Sequence, residues 1–215
     1  MTAVTGSPRF ITVEGGEGVG KSTQLACIER CLKARGIPLV VTREPGGTPL
    51  GERLRELLLE KEGLAPTPMA ELLMVFAARA QHVATVIQPA LARGEWVLCD
   101  RFSDASHAYQ GQGRGIPEET IVALQELAHP GLEPHLTFLL DVEPRVGLDR
   151  ARRRGDLDRF EQEALEFFEA VREGYRHRVQ QAPRRWRVID AGESLERVER
   201  QITAAIEQWF NDDAH

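Results

Sequence analysis

One run of residues is equipped for chemistry by type and spacing alone: Gly15-Gly16-Glu17-Gly18-Val19-Gly20-Lys21-Ser22, with Thr23 directly after it. It fits G-x-x-x-x-G-K-S, whose glycines let the backbone curl until successive N–H groups point at the phosphates of one bound nucleotide. Lys21 brings a cation to the outer phosphates, and the Ser22 hydroxyl is placed to hold the Mg²⁺ that those phosphates share. The expected nucleotide-binding set is therefore Gly15, Gly16, Glu17, Gly18, Val19, Gly20, Lys21, Ser22 and Thr23.

A phosphate loop serves switches and motors as well as kinases, so the acceptor side must supply the distinction. Moving a phosphoryl group onto a second anion requires positive charge around both reactants, a metal and exclusion of water. Arginines stand in three separate places. Thr42-Arg43-Glu44-Pro45-Gly46-Gly47-Thr48 is a proline- and glycine-bound turn that fixes Arg43, and Arg55 follows on the next helix. Trp96-Val97-Leu98-Cys99-Asp100-Arg101 is an apolar strand ending in a carboxylate, the pattern of a metal-organising aspartate. Leu136 to Asp141 has the same pattern, and the neighbouring Arg101, a fork suited to phosphate, favours Asp100. Arg150-Ala151-Arg152-Arg153-Arg154-Gly155 is either a solvated helix face or an arginine-rich lid hinged at Gly155, and the negative charge of the whole chain favours the lid.

These groups need a scaffold that brings loops together. Short β-like runs at Phe10–Glu14, Leu39–Thr42, Trp96–Asp100, Leu136–Asp141 and Trp186–Ile189 alternate with helical patterns. The helices are expected near Ser22–Arg35, Gly51–Glu60, Thr67–Arg93, Glu118–Ala128, Pro144–Arg154, Glu161–Gln181 and Leu195–Phe210. Strands apolar on both faces and separated by helices imply a parallel sheet covered on both sides, with the working loops at the strands' carboxyl ends. The expected architecture is α/β, a three-layer fold with a five-stranded parallel sheet and a mobile lid near residues 145–160, all one domain over 1–215.

Bulk properties exclude other classes. The 215 residues carry a formal charge of −6, which argues against a nucleic-acid binder. No apolar run approaches membrane-spanning length, and the start lacks the apolar core of a signal peptide. The three cysteines, Cys27, Cys31 and Cys99, form no disulfide framework or zinc spacing, which fits a reducing cytoplasm.

Together these segments resemble bacterial thymidylate kinases over nearly the whole chain. The phosphate loop is generic, but Arg43-Glu44-Pro45-Gly46-Gly47, Phe76-Ala77-Ala78-Arg79, Asp100-Arg101-Phe102, Ser106-His107-Ala108-Tyr109-Gln110-Gly111 and the arginine run through Leu157-Asp158-Arg159-Phe160-Glu161 come in the family's order. The resemblance implies a phosphate-loop NTPase fold and transfer of the γ-phosphate of Mg-ATP to thymidine monophosphate (dTMP), giving the diphosphate, with a homodimer as the common assembly. It implies a catalytic set of Lys21, Glu17, Asp100, Arg101, Arg154 and Arg152, and metal contacts from Ser22, Asp100 and Glu17. It places Arg43, Arg55 and Arg101 near the acceptor phosphate, Arg79 and Gln110 at the thymine edge, and Ser106, Tyr109 and Phe76 in the same pocket. It also implies a cis bond before Pro45 that aims Arg43 inward.

Two positions depart from the family pattern. Some members carry a catalytic arginine in the phosphate loop and others in the lid; here Gly18 occupies the loop position, which assigns the role to Arg154 first and Arg152 next. The aromatic residue that stacks on the base usually lies four residues before the pocket arginine, where this chain has Val75; Phe76, one residue later, is the candidate replacement. A kinase for another nucleoside monophosphate or a deoxynucleoside is the alternative within enzymes. A nucleotide-dependent switch is the alternative outside them, though no Asn-Lys-x-Asp segment is present.

Overall fold

The computed structural model describes residues 9–60, 66–155 and 158–213. Five strands, β1 (Phe10–Gly15), β2 (Leu39–Arg43), β3 (Trp96–Asp100), β4 (Leu136–Asp141) and β5 (Trp186–Asp190), form one all-parallel sheet in the order β2-β3-β1-β4-β5. Alternation along β1 explains why both faces are covered. Ile11 and Val13 join Ile28, Leu32, Leu98, Phe138 and Ile202 on one side, whereas Phe10 joins Val97, Cys99, Phe102 and Ile87 on the other. Thr12 and Thr137, both fully buried, hydrogen-bond each other across β1 and β4 at 2.9 Å and so satisfy their hydroxyls inside the sheet.

Helices α1 (Lys21–Lys33) and α9 (Leu195–Asp213) cover the first face. The second carries α2 (Pro49–Leu59), α3 (Pro68–His82), α4 (Gln88–Ala92), α5 (Ser103–Ser106), α6 (Glu118–Ala128), α7 (Pro144–Arg154) and α8 (Leu165–Gln181). Thr48 and Thr67 cap α2 and α3 by accepting from Gly51 N at 2.9 Å and Ala70 N at 3.3 Å, each followed by a proline suited to the first turn. Helix α1 differs: Gly20 precedes it in the left-handed region (φ 84°) and no side chain caps it. Its first N–H groups stay available to an anion.

The strands match the sequence reading to within a residue, and the helices are where it needs correction. The stretch expected as one helix over Thr67–Arg93 contains a π-helical turn at Val83–Ile87 between α3 and α4. Pro89 lacks an N–H and its ring crowds the preceding turn, so the wider turn accommodates it. This Pro68–Ala92 stretch is long and apolar enough to cross a membrane by composition, with mean hydropathy 1.3, but half of that window is buried within the protein. The motif Ser106–Gly111 carries no helix expectation, yet residues 103–113 form α5 and a second π-helical segment, His107–Gly113. Serine and glycine give this segment weak intrinsic helicity, and packing against α8 holds it: a Cβ on Gly174 would lie 2.8 Å from Ala108 Cα. Helix α8 starts at Leu165 and not at Glu161, because Glu161 N–H is taken by Asp158 Oδ1 at 2.9 Å in the preceding turn.

Candidate active site

Parallel pairing sets the geometry. Val13 and Arg43 both align with Asp100, so the ends of β1, β2 and β3 open onto one cavity of about 450 Å³. Its walls include Glu17 to Thr23, Arg43, Arg55, Arg79, Asp100, Arg101, Ser106, Tyr109, Gln110 and Arg154, all expected from the sequence. One end is the phosphate loop. The other is a pocket walled by α3 and the segment from Ser106 to Gln110.

At the loop end, Lys21 Nζ folds back onto the carbonyls of Gly15 (3.3 Å) and Gly16 (2.8 Å). Gly15 and Gly16 themselves lie outside the main cavity wall; their carbonyl groups hold Lys21, and Gly15 O also accepts from Arg101 Nη1 at 2.9 Å. Arg101 adopts a left-handed backbone (φ 69°), which costs a non-glycine residue about 1–2 kcal/mol. That turn is held on both sides: Arg101 N–H donates to Val13 O at 3.0 Å, and Phe102 N–H donates to the Glu14 carboxyl at 2.7 Å. The guanidinium of Arg101 then reaches Glu17 Oε1 at 2.6 Å and Tyr175 Oη at 3.1 Å, with Tyr109 beneath it. Tyr109 Oη donates to the same Glu17 oxygen at 2.8 Å.

The charges around Glu17 explain its acidity. Burial pushes its carboxyl up, but Lys21 and Arg101 outweigh this and hold it at about 2. Burial and the charge of Arg101 lower the Lys21 ammonium, and burial with Arg43 and Arg101 lowers Arg55. The loop end thus gathers the cations Lys21, Arg43, Arg55, Arg101 and Arg154, three of them paired with the carboxylates of Glu52, Glu17 and Glu161, partners that a polyanionic ligand can replace. Arg43 pairs with Glu52 at 2.6 Å and Arg55 donates to Pro45 O at 3.0 Å, across the cis Glu44–Pro45 bond. Arg154, at the end of α7, pairs with Glu161.

The opposite end is built differently. Arg79 is 1% exposed, its Nε donating to Glu44 at 2.7 Å, Nη1 to Ser106 Oγ at 3.0 Å and Nη2 to Phe102 O at 3.0 Å. Glu44 also bonds His82 Nδ1 at 2.9 Å, and His82 Nε2 meets Thr42 Oγ1 at 2.6 Å. Burial alone would raise the Glu44 carboxyl, but Arg79 and His82 bring it below its ordinary value. Gln110, buried beside this network, gives its Nε2 to Glu71 at 2.9 Å.

Two expected site residues stand elsewhere. Phe76 packs with Leu72, Ile116 and Ile121 in the core, the Arg79 guanidinium 4.6 Å from its ring, and Val75 takes its place on the cavity wall. One position along a helix turns a side chain by about a quarter turn, enough to exchange cavity for core. Arg152 points to solvent, 3.6 Å from Asp149, and does not line the cavity. Sequence reasoning also missed Glu71, His82 and Tyr175, and Glu14 and Glu44 were quoted only as parts of motifs. Glu71, Arg79 and His82 were detectable in principle as polar residues at helical spacing on an otherwise apolar stretch.

A family model described as thymidylate kinase matches residues 13–202. The chain belongs to the thymidylate kinase family. A thymidylate kinase of Teredinibacter turnerae is 59% identical over 202 residues, covering 94% of this chain and 98% of that one. One from Chromohalobacter salexigens is 57% identical over 198 residues, covering 91% and 93%. The crystal structure of thymidylate kinase from Ehrlichia chaffeensis superposes with a TM-score of 0.76 at 32% identity, covering 95% of this chain and all of that one. The chain has the phosphate-loop NTPase fold, and its activity is ATP-dependent phosphorylation of dTMP, which serves dTTP synthesis.

Within the thymidylate kinase family the loop glycine at 18 has a steric explanation. Its φ is 66°, and a Cβ there would lie 1.9 Å from Gly147 O in α7. A Cβ on Gly147 would in turn lie 2.4 Å from Glu17 O. Loop and helix touch backbone to backbone, so no arginine fits at 18, and the guanidinium of α7 that reaches the cavity is that of Arg154.

Proposed function

We propose that dTMP lies along the cavity with thymine between Val75, Arg79 and Gln110 and its phosphate among Arg43, Arg55 and Arg101, facing ATP held by Lys21 and the loop amides. One observation carries this reading: a single cavity joins a phosphate loop to a pocket holding a buried arginine and a buried amide. Arg79 donates to a thymine carbonyl, and Gln110 pairs with N3–H through its amide oxygen. Tyr109, hydrogen-bonded to Glu17, faces the sugar, where it disfavours a 2′-hydroxyl.

In the transfer, an oxygen of the dTMP phosphate attacks the γ-phosphorus as the bond from that phosphorus to the β-bridging oxygen breaks. ADP carries away the bridging electrons and the new P–O bond makes the diphosphate. Lys21 neutralises charge on the transferring group. Arg154 exchanges Glu161 for the same oxygens and acts in the transition state, with Arg101 and Glu17 setting the acceptor between them. Asp100 Oδ1 is buried without a hydrogen-bond partner and Ser22 opens on the same cavity, so these two fit Mg²⁺. Glu17 is the weaker metal candidate, since its Oε1 already serves Arg101 and Tyr109. When bound, Mg²⁺ offsets the charge of the phosphates. Residues 145–160 act as a lid on a single domain, with Gly155 (φ 83°) as its hinge; 156 and 157 lie outside the described residues.

A homodimer is supported by apolar residues on α2 and α3: Leu50, Leu57, Met69 and Leu73 are 42–50% exposed, whereas Leu72, Val83 and Ile87 belong to the core. Free Cys27, Cys31 and Cys99 support a cytoplasmic location. The deciding assay is ADP production from Mg-ATP with dTMP, deoxyuridine, deoxycytidine, adenosine and guanosine monophosphates. Stimulation by dTMP that is lost in Arg101→Ala supports the acceptor site; stimulation that survives in Arg101→Ala removes Arg101 from it.

A further inference from the structure

Glu71 does not line the cavity, yet it holds a side chain that does, that of Gln110. It is wholly buried on α3. Its Oε1 accepts from Gln110 Nε2 at 2.9 Å, and its Oε2 from Arg159 Nη2 at 2.6 Å and Arg114 Nη2 at 3.2 Å. Arg159 also donates from Nε to Leu58 O at 2.8 Å, and Arg114 pairs with Glu163 at 2.7 Å. Two guanidinium groups and one amide therefore converge on a single buried carboxylate.

The consequence lies in the amide. A side-chain amide has a donor end and an acceptor end, and rotation by a half turn exchanges them. A carboxylate paired with two guanidinium groups only accepts, so it holds the NH₂ end of Gln110 and leaves the oxygen end for the base. An oxygen there matches the N3–H of thymine or uracil. Cytosine presents a lone pair at N3, which would face that oxygen unpaired. We propose that Glu71 is a positioning residue that fixes base specificity by locking the orientation of the Gln110 amide. The proposal rests on the placement of Gln110 at the base edge. Arg159 extends its reach: the same carboxylate, through its other oxygen, ties the base pocket to the segment that carries Glu161, the partner of Arg154.

The test compares kcat/KM for dTMP and deoxycytidine monophosphate in Glu71→Gln, Glu71→Asp and Gln110→Ala. Glutamine at 71 can donate as well as accept, so the Gln110 amide is free to turn over. The dTMP preference then falls by at least about tenfold, through KM for dTMP more than through kcat. Aspartate still only accepts and keeps the preference within about threefold of the original even where it lowers thermal stability. A preference that stays unchanged in Glu71→Gln while both substrates lose activity in parallel overturns the proposal, and so does a preference that follows stability across the two variants. Gln110→Ala separates the two levels: if it leaves the preference intact, the base-edge placement fails as well. The unaltered protein gives a measurement independent of folding in the variants. One Gln110 side-chain amide proton, assigned by ¹⁵N NMR against Gln110→Ala, exchanges slowly before any nucleotide is added; fast exchange of both protons overturns the locked orientation.

Discussion

The two ends of the cavity hold their polar groups by opposite means. At the phosphate end, Lys21 rests on backbone carbonyls, Arg43 on the half-exposed Glu52 and Arg154 on Glu161, while α1 begins with uncapped N–H groups. Partners left behind when these cations turn to a phosphate oxygen keep other donors: Gly15 O keeps Arg101, Glu52 keeps Gly47 N–H at 2.9 Å, and the buried Glu161 keeps Asp158 N–H at 3.1 Å. At the base end, Arg79, Glu44, His82, Gln110 and Glu71 are all nearly solvent-free and bonded in two sets, Arg79 and His82 to Glu44, and Gln110 to Glu71. Under the proposed function the difference separates two tasks: charge that must follow a moving phosphoryl group is loosely tethered, whereas a recognition edge that must reject a near-copy is held by buried bonds.

Substitutions sharpen this division. At the phosphate end the largest expected effects are on turnover with the fold intact. Lys21→Ala should lower kcat by about 10²–10³ while leaving the thermal midpoint near that of the parent, as read by steady-state assay and calorimetry. Arg154→Ala should lower kcat by about 10² or more with little change in KM for dTMP. A pure loss of dTMP affinity would instead place Arg154 with the binding groups. At the base end the order reverses. Glu44→Gln leaves the buried Arg79 without its carboxylate and should cost about 3–5 kcal/mol of stability by denaturant titration, with KM for dTMP raised more than kcat is lowered. Near-parental stability would break the contrast between the two ends.

Between the ends, Glu14 offers a pH test. Burial and the nearby Asp104 raise its carboxyl from 4.5 to about 8, and it accepts from Phe102 N–H and Tyr175 Oη. The folded protein holds this proton more tightly than the unfolded chain. Its contribution to stability is therefore complete below pH 4.5, declines above that, and is lost as pH rises through about 8. Glu14→Gln should flatten the stability profile over that window, and identical profiles for parent and variant would refute the assignment. The smallest effect is expected at Arg152, whose removal to alanine should change kcat by less than about twofold, since its partner is the exposed Asp149.

How far the sequence could be read follows the same boundary. The strands, the phosphate loop and the cations around it are local patterns, and the chain shows them directly: a β-branched run, glycines at fixed offsets, an arginine after a strand. The base end was legible only through resemblance. Nothing in the spacing of Glu71, Gln110, Arg114 and Arg159 announces that they meet, because the meeting depends on how α3 and α8 flank the segment after β3. That segment, from Ser103 to Gly113, carries no helical pattern in the sequence because its serines and glycines have weak helical preference, and packing on α8 holds it in helical form. Phe76 shows the limit from the other side. Its type suited base stacking, but one step along α3 decided between ring against nucleotide and ring against core.

The backbone contact between Gly18 and Gly147 also has an evolutionary reading. Moving the cavity guanidinium from α7 to the loop would require a side chain at 18 where the carbonyl of Gly147 leaves no room for a single carbon. No one substitution can make that exchange, and a change at 147 alone meets the carbonyl of Glu17. The two arrangements are separated by a valley that only a coordinated rebuilding of loop and helix can cross, so a lineage that begins with paired glycines here keeps its cavity arginine on α7.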